Sequence, residues 1–122
     1  MTTTGNNAYI KRSRRYLAQS EEELERGDLL QASEKGWAAA SQILKAVAEE
    51  RGWRHRNHND LYKAIDLAVG ETNDLELRFL FNTASELHAN FYEEFMSATA
   101  VRENITGVVR FVEKVEGLLS DK

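Results

Sequence analysis

Apolar residues recur every three or four positions along most of the 122-residue chain, and no proline interrupts them. This spacing places the apolar side chains on one face of an α-helix. Proline is the main helix breaker, so its absence permits long helices without proving them. An apolar fraction of 42% is enough for an ordinary core in one domain. The pattern predicts an all-α protein, with residues 8–122 as a single domain after a disordered leader, residues 1–7.

Five helical segments can be separated by residues that cap helices or favour turns. The first is predicted from about Ala8 to Arg26, and Gly27 should end it. Gly70 is expected to end the third helix. The expected N-caps are Asp28 for the second helix, Asn57 or Asn59 for the third, Thr72 or Asn73 for the fourth, and Ser97 or Thr99 for the fifth. Five helices joined by short connections predict an antiparallel bundle.

The second and fourth predicted helices are apolar over a wider arc than one neighbour can cover. In the second helix, a stripe through Trp37 lies beside a stripe of small residues through Gly36. In the fourth helix, the core stripe through Leu87 lies beside a second stripe of Phe81, His88, Tyr92 and Phe95. Either these helices are central, or one of them presents a face to a second copy of the chain. When a helix carries more apolar surface than its own chain can cover, a symmetric homodimer is the commonest outcome.

Composition excludes several kinds of site. The chain has no cysteine, which rules out disulfides, thiolate metal ligation and cysteine nucleophiles. Its three histidines are scattered and lack metal-ligand spacing, so we expect neither a metal nor another cofactor. Nothing resembles a signal core or a membrane span, which predicts a cytoplasmic protein without membrane contact. The net charge of −4 argues against bulk attraction to nucleic acid but allows local basic patches.

Two charged runs lie on the first predicted helix. Four basic residues occur between Lys11 and Arg15, and four acidic residues occur between Glu21 and Glu25. Opposite charges on one helix commonly form ion pairs along its surface. We interpret these runs as mutual ion pairing within the first helix.

The junction between the second and third helices holds an unusual concentration of basic and aromatic residues. They are Arg51, Trp53, Arg54, His55, Arg56 and His58. One interpretation is a solvated loop, in which Trp53 plugs the end of the bundle, the arginines pair with carboxylates, and Asn57 or His58 caps the third helix. The other is an anion or nucleotide-phosphate site at the start of that helix, with a base stacked on Trp53.

A second polar cluster lies on the fourth predicted helix. His88 and Tyr92 are one turn apart and share a flank, whereas Asn90 should point toward the side of Glu86 and Glu93. These residues are either semi-buried with satisfied hydrogen bonds, or a polar patch in a groove that faces the junction. Both interpretations remain open at this point.

Three segments together resemble the PaREP family, a branch of the HEPN-type helical bundles. They are residues 32–40, 50–58 and 86–93, and the resemblance extends over roughly Tyr9 to Leu119. It implies a bundle of antiparallel helices that is commonly dimeric. Several HEPN relatives are metal-independent RNA endonucleases, and some are toxins paired with a nucleotidyltransferase partner. PaREP members are largely uncharacterised.

The HEPN resemblance also implies a candidate catalytic pair. HEPN nucleases carry an arginine and a later histidine with four to six residues between them, and six residues lie between Arg51 and His58. The arginine would bind phosphate, and the histidine would act as acid or base on RNA without a metal. In HEPN nucleases the motif usually lies late in the chain. In the corresponding stretch here, histidine precedes arginine, as His88 and Arg102.

These observations favour a homodimeric binding or interaction module rather than an enzyme. Its anion- or nucleotide-binding residues would be those of the junction together with His88, Asn90 and Tyr92. Two alternatives stay open: a metal-independent RNA endonuclease that uses Arg51 and His58, and a structural partner of a nucleotidyltransferase. The expected ligand is therefore a nucleotide or RNA.

Overall fold

The computed structural model describes the backbone of residues 4–119 and the side chains of residues 7–119. Within that range it contains helices and no strand, so the all-α prediction is confirmed. The five helices are α1 (Thr4–Arg26), α2 (Leu29–Arg51), α3 (His58–Thr72), α4 (Glu76–Glu93) and α5 (Ala98–Glu116). They pack into one bundle around α2, which contacts each of the other four. Trp37 of α2 and Leu87 of α4 are buried, as their apolar stripes predict.

Consecutive helices run antiparallel, with one exception that determines the geometry of the site. Trp37 near the start of α2 contacts His58 at the start of α3, with ring centroids 4.9 Å apart. Arg51 at the end of α2 binds Glu71 near the end of α3. The start of α2 thus contacts the start of α3, and the end of α2 contacts the end of α3. Helix α3 therefore runs in the same general direction as α2. The junction must therefore lead the chain back along α2 before α3 begins.

Close packing around α2 depends on a small residue at its centre. A Cβ added to Gly36 would lie 3.1 Å from Cδ1 of Leu87 and 3.4 Å from Oγ of Ser20. Ser20 Oγ in turn donates a 2.8 Å hydrogen bond to the carbonyl oxygen of Ala32. The small residues of α2 therefore allow α1 and α4 to approach its backbone closely.

Most helix ends are where the sequence predicts them. Gly27 ends α1 in the left-handed region, with φ of 83°. Asp28, Asn57 and Ser97 are the N-caps of α2, α3 and α5, and each side chain accepts a hydrogen bond from a backbone N–H three residues later. Of the residues predicted to cap α3, namely Asn57, His58 and Asn59, it is Asn57 that does so.

Three boundaries differ from prediction. Helix α1 begins at Thr4 rather than near Ala8, and residues 1–3 of the predicted leader lie outside the described residues. Gly70 does not end α3, which continues until Asn73 adopts a left-handed φ of 58°. Asparagine tolerates that region better than most residues, so it takes the role predicted for glycine. Helix α4 consequently begins at Glu76, later than predicted.

The predicted ion pairs between the basic and the acidic run of α1 do not form among the described residues, although Glu23 of the acidic run pairs with Arg26. Arg14 instead pairs with Glu116 of α5, and Arg12 Nε donates a 2.8 Å hydrogen bond to Gln42 Oε1 of α2. The two charged runs are about ten residues apart, whereas side chains meet on a helix only at spacings of three or four. The basic residues of α1 are therefore available to neighbouring helices.

None of the helices in the described part of the chain is long and apolar enough to cross a membrane.

Candidate functional site

The junction between α2 and α3 lies lengthwise along α2. After Arg51, Gly52 turns the chain with φ of 77°. Lys45 Nζ then donates a 2.8 Å hydrogen bond to the carbonyl oxygen of His55, and three residues later His58 reaches Trp37. Trp37 precedes Arg51 by fourteen residues, which is about 21 Å of helix. The two ends of the junction are therefore far apart in space although they are close in sequence.

Arg51 holds three helices together at one end of the bundle. Its guanidinium lies 2.5 Å from Glu71 Oε2 and 2.9 Å from Glu50 Oε1, and it also donates to the carbonyl oxygen of Leu118. The hydrogen bond from Arg51 lowers the pKa of Glu71, and the same contact raises the pKa of Arg51. This saturated guanidinium fits the predicted solvated loop, in which arginines pair with carboxylates. The structure does not bring Arg51 and His58 together.

The next three residues of the junction also face away from His58. Trp53 packs against the core and, with Arg54, lines a hollow of about 180 Å³ beside Lys63. The ring of His55 meets the edge of Tyr9 with centroids 5.5 Å apart, and its Nε2 lies 2.9 Å from a Glu49 carboxylate oxygen. These positions leave only Arg56 and His58 of the six junction residues at the same site.

Arg56 and His58 line a cavity of about 400 Å³, which we call the α2 cleft. Helix α2 forms its floor, Tyr16 of α1 forms one wall, and the end of the junction forms the other. Its lining residues are Tyr16, Glu34, Trp37, Ala38, Ser41, Gln42, Lys45, Arg56, Asn57, His58 and Leu61.

Two histidines meet a tryptophan at one end of the α2 cleft. The centroids of His58 and His88 are 4.9 Å apart, and those of Trp37 and His88 are 5.0 Å apart. Nδ1 of His88 lies 3.3 Å from Glu34 Oε1. Tyr92 approaches His88 edge-on at 5.3 Å, and it is 71% exposed. The structure thus brings residues of the two polar clusters, which are distant in sequence, to one place.

The middle of the cleft contains an unsatisfied hydroxyl. Ser41 is only 7% exposed, and its Oγ makes no hydrogen bond to any residue that the structure describes. Other buried serines of the bundle are satisfied, such as Ser13, whose Oγ donates 2.7 Å to the carbonyl oxygen of Ala39. A buried polar atom without a partner is uncommon and calls for an explanation. Because the Oγ atom is itself covered, a ligand in the cleft would supply the missing partner only after a small shift of the side chains around it.

Positive charge surrounds the cleft although the chain is acidic overall. The exposed Arg56 forms no ion pair with the described residues. From the opposite side, Arg15 and Lys35 lie over the ring of Tyr16, at 5.6 Å and 5.4 Å from its centroid. Arg12 adds a further cation through its hydrogen bond to Gln42. An anion would therefore meet a locally favourable field here.

Asn90 was predicted to point toward the side of Glu86 and Glu93, but it is buried against α2 with its hydrogen bonds satisfied. It is 1% exposed, and its Nδ2 donates a 3.0 Å hydrogen bond to Ser33 Oγ of α2. Its Oδ1 accepts hydrogen bonds from the backbone N–H groups of Phe95 and Met96, both at 2.8 Å. Asn90 therefore fixes the turn after α4, because these N–H groups have no helical partner. It is not part of the α2 cleft.

Sequence reasoning missed the residues that α2 contributes. Glu34, Ser41 and Lys45 share the face of α2 that carries Trp37, since their numbers step by three and four. These polar residues belong to no recognisable motif, so the sequence did not mark them as site residues. The return of the junction along α2 places a neighbouring element beside them and converts the surface into a cleft.

Comparison with known proteins gives a family and a fold. The model of the archaeal PaREP1/PaREP8 family matches residues 8–112. The crystal structure of a protein from Sulfolobus solfataricus is similar, with a TM-score of 0.72 and 23% identity over 96% of this chain and 98% of that chain. That likeness concerns the fold alone, and no curated protein matches the chain. The wider link to HEPN-type bundles stays a prediction. Because the family model spans most of the sequence, this chain belongs to the archaeal PaREP1/PaREP8 family.

Proposed function

We propose that the protein is a binding module whose α2 cleft takes a phosphate-bearing ligand with a planar ring, as a nucleotide has. The observation that carries the proposal is the buried, unpartnered Ser41 hydroxyl in a cavity of about 400 Å³. Arg56, which lines the same cavity and forms no ion pair with the described residues, supplies a planar fork of donors suited to phosphate oxygens. Arg51, which the sequence suggested for this role, is already saturated by carboxylates.

The rest of the cleft supports the same ligand. Lys45 adds a point charge at the end nearer Arg56, although its ammonium also holds the carbonyl oxygen of His55. His58 and Tyr16 offer aromatic surface on opposite walls, and a base can pack against such rings whatever its identity. The ligand would thus be held by charge at one end and by flat apolar contact at the other.

A pair of matched variants tests the proposal. Arg56→Gln and Arg54→Gln remove the same charge two residues apart, but only Arg56 lines the cleft. We expect Arg56→Gln to weaken binding of ADP or GDP about tenfold in calorimetric titration, because one charged hydrogen-bonding group contributes about 1–3 kcal/mol. Arg54→Gln should bind nearly as the parent does.

Salt provides an independent control. Genuine phosphate contact must weaken as ionic strength rises, since cations at the site are screened. Absence of saturable binding at low salt would overturn the proposal. Equal losses in Arg54→Gln and Arg56→Gln would show that any attraction is nonspecific.

A metal-independent ribonuclease is the second candidate, and the contact between His58 and His88 favours it. Two imidazoles with centroids 4.9 Å apart could divide the roles of base and acid, with the RNA 2′-hydroxyl as nucleophile. Incubation of mixed RNA with the protein in EDTA tests this directly. We expect cleavage that is abolished in His58→Ala; no cleavage by the parent protein dismisses the candidate.

The proposed homodimer is tested separately. Light scattering at micromolar concentration should give twice the 13.9 kDa of one chain. Tyr92 at the end of α4 and Phe95 in the turn after it are 71% and 57% exposed, so they are available to a second copy. A monomeric mass would reject the dimer without affecting the cleft.

A further inference from the structure

A carboxylate, that of Glu34, lies at the end of the α2 cleft opposite to Lys45. The side chain of Glu34 is 33% exposed, and the hydrogen bond from His88 is the one described contact of its carboxylate. A carboxylate offers about four acceptor positions and no donor, so most of its capacity is unused. An anionic ligand would be repelled there unless it presented N–H groups to these oxygens.

The cleft is therefore bipolar along α2. Glu34, Ser41 and Lys45 line its floor in that order, and Lys45 follows Glu34 by eleven positions. At 1.5 Å per residue this is about 16 Å, long enough to separate the two ends of an extended ligand. Arg56 joins Lys45 at the basic end, and the rings of Trp37 and His58 lie at the acidic end.

We propose that Glu34 makes the cleft selective for guanine among the nucleobases. The inference rests on the proposed function, since it requires the phosphates to occupy the Arg56 end. Guanine presents two adjacent donors, its ring N1–H and its 2-amino group, which match the two oxygens of one carboxylate. Adenine has one amino donor beside a ring acceptor, and that acceptor would face the negative charge. Uracil has a single N–H between two carbonyl groups.

His88 acts as a positioning residue for this interaction. Its Nδ1 lies 3.3 Å from Glu34 Oε1, and its ring is held against Trp37 and His58. This contact restricts the carboxylate to the mouth of the ring cluster, where a base would enter. The other oxygen and the remaining lone pairs are left for the ligand.

Four nucleoside diphosphates that differ only in the base or one of its groups test the inference on the unaltered protein. GDP should bind at least about tenfold more tightly than ADP or UDP, because a good bidentate contact discriminates by that order. IDP, which lacks the 2-amino group, should fall between GDP and ADP. These comparisons need no substitution, so folding of a variant cannot confuse them.

Glu34→Gln then identifies the residue responsible. The ratio of ADP to GDP dissociation constants should fall toward one, since an amide pairs a donor with an acceptor. Glu86→Gln is the matched control, because Glu86 is exposed on α4 and does not line the cleft. It should preserve the ratio of the parent protein.

The outcomes separate this inference from the proposed function. If no diphosphate binds, the cleft is not a nucleotide site and both fail. If all four bind with equal affinity, or if Glu34→Gln keeps the preference for GDP, the proposed guanine selectivity is wrong although the binding module stands.

The guanine could come from a free nucleotide or from RNA. A single-stranded RNA tetramer of guanosines that binds more tightly than GDP would identify RNA as the source, and the reverse order would identify the free nucleotide.

Discussion

Arg51 and Arg56 are five residues apart in one basic junction, but the structure places them in opposite situations. Arg51 binds two carboxylates and a backbone carbonyl and ties together the ends of α2, α3 and α5. Arg56 is exposed beside the α2 cleft and forms no ion pair with the described residues. The same type of residue thus has two roles: Arg51 stabilises the fold at one end of the junction, and Arg56 is available to a ligand at the other end.

This difference arises from helix direction rather than from residue type. Because α3 runs in the same direction as α2, the junction returns along about 21 Å of α2 and separates its own ends. A conventional antiparallel turn would have kept Arg51 beside His58. Basic residues that are close together in the sequence therefore need not form one basic site in the folded protein.

The largest expected effect concerns the two tryptophans, one in each region. Trp37→Ala should lower the free energy of unfolding by about 3 kcal/mol or more, because Trp37 is buried and packs against Phe81, His58 and His88. Trp53→Ala should cost less, since Trp53 is only partly buried. Urea denaturation measures both. A smaller loss for Trp37 would mean that the cleft end contributes little to packing.

The next effect compares the two arginines directly. Arg51→Gln should lower the free energy of unfolding by about 1–2 kcal/mol, a value reduced for the partial exposure of its ion pairs. Arg56→Gln should change it by less than about 0.5 kcal/mol, as expected for an exposed side chain that forms no ion pair with the described residues. Urea denaturation of the two variants in parallel provides the measurement. Equal losses of unfolding free energy in the two variants would contradict the different roles assigned to Arg51 and Arg56.

Two buried serines allow the same comparison for a single hydroxyl group, because one hydroxyl is hydrogen-bonded within the fold and the other has no partner among the described residues. Ser13→Ala should cost about 1 kcal/mol because it removes the hydrogen bond to Ala39. Ser41→Ala should be nearly neutral for stability, since its hydroxyl has no partner among the described residues, but it should weaken ligand binding. Thermal denaturation and nucleotide titration of both variants test this. A clear loss of stability in Ser41→Ala would show that the hydroxyl is already satisfied.

The smallest effect is a shift in acid titration. Arg51 holds the pKa of Glu71 below its usual 4.5, so this contact stabilises the fold fully above pH 4.5 and loses its contribution as pH falls through the lowered pKa. In Arg51→Gln the pKa of Glu71 should rise toward 4.5. In Arg56→Gln it should not move. Carbon-detected NMR titration of the Glu71 carboxyl group distinguishes the two variants.

The sequence predicted much of the fold because local patterns determine it. Apolar spacing located all five helices, and Asp28, Asn57 and Ser97 marked three starts. The end of α3 and the start of α4 were missed, since Asn73 took the left-handed position expected of Gly70. Such choices depend on how two helices meet, which no local pattern records.

The candidate site was only half predictable for the same reason. Arg56, His58 and His88 were recognised by residue type, but nothing local revealed that His58 and His88 would come into contact. Glu34, Ser41 and Lys45 read as an ordinary polar helix face. They became cleft residues only through the nonlocal path of the junction.

The most direct test of the account is to observe where a nucleotide binds. Amide and indole N–H signals of ¹⁵N-labelled protein can be followed by NMR during titration with GDP. We expect progressive shifts at the Trp37 indole and at the backbone of Ser41, Arg56 and His58, with Arg51 and Glu71 unmoved. Shifts centred on Arg51 and Glu71, or no shifts at all, would contradict the assignment of ligand binding to the α2 cleft.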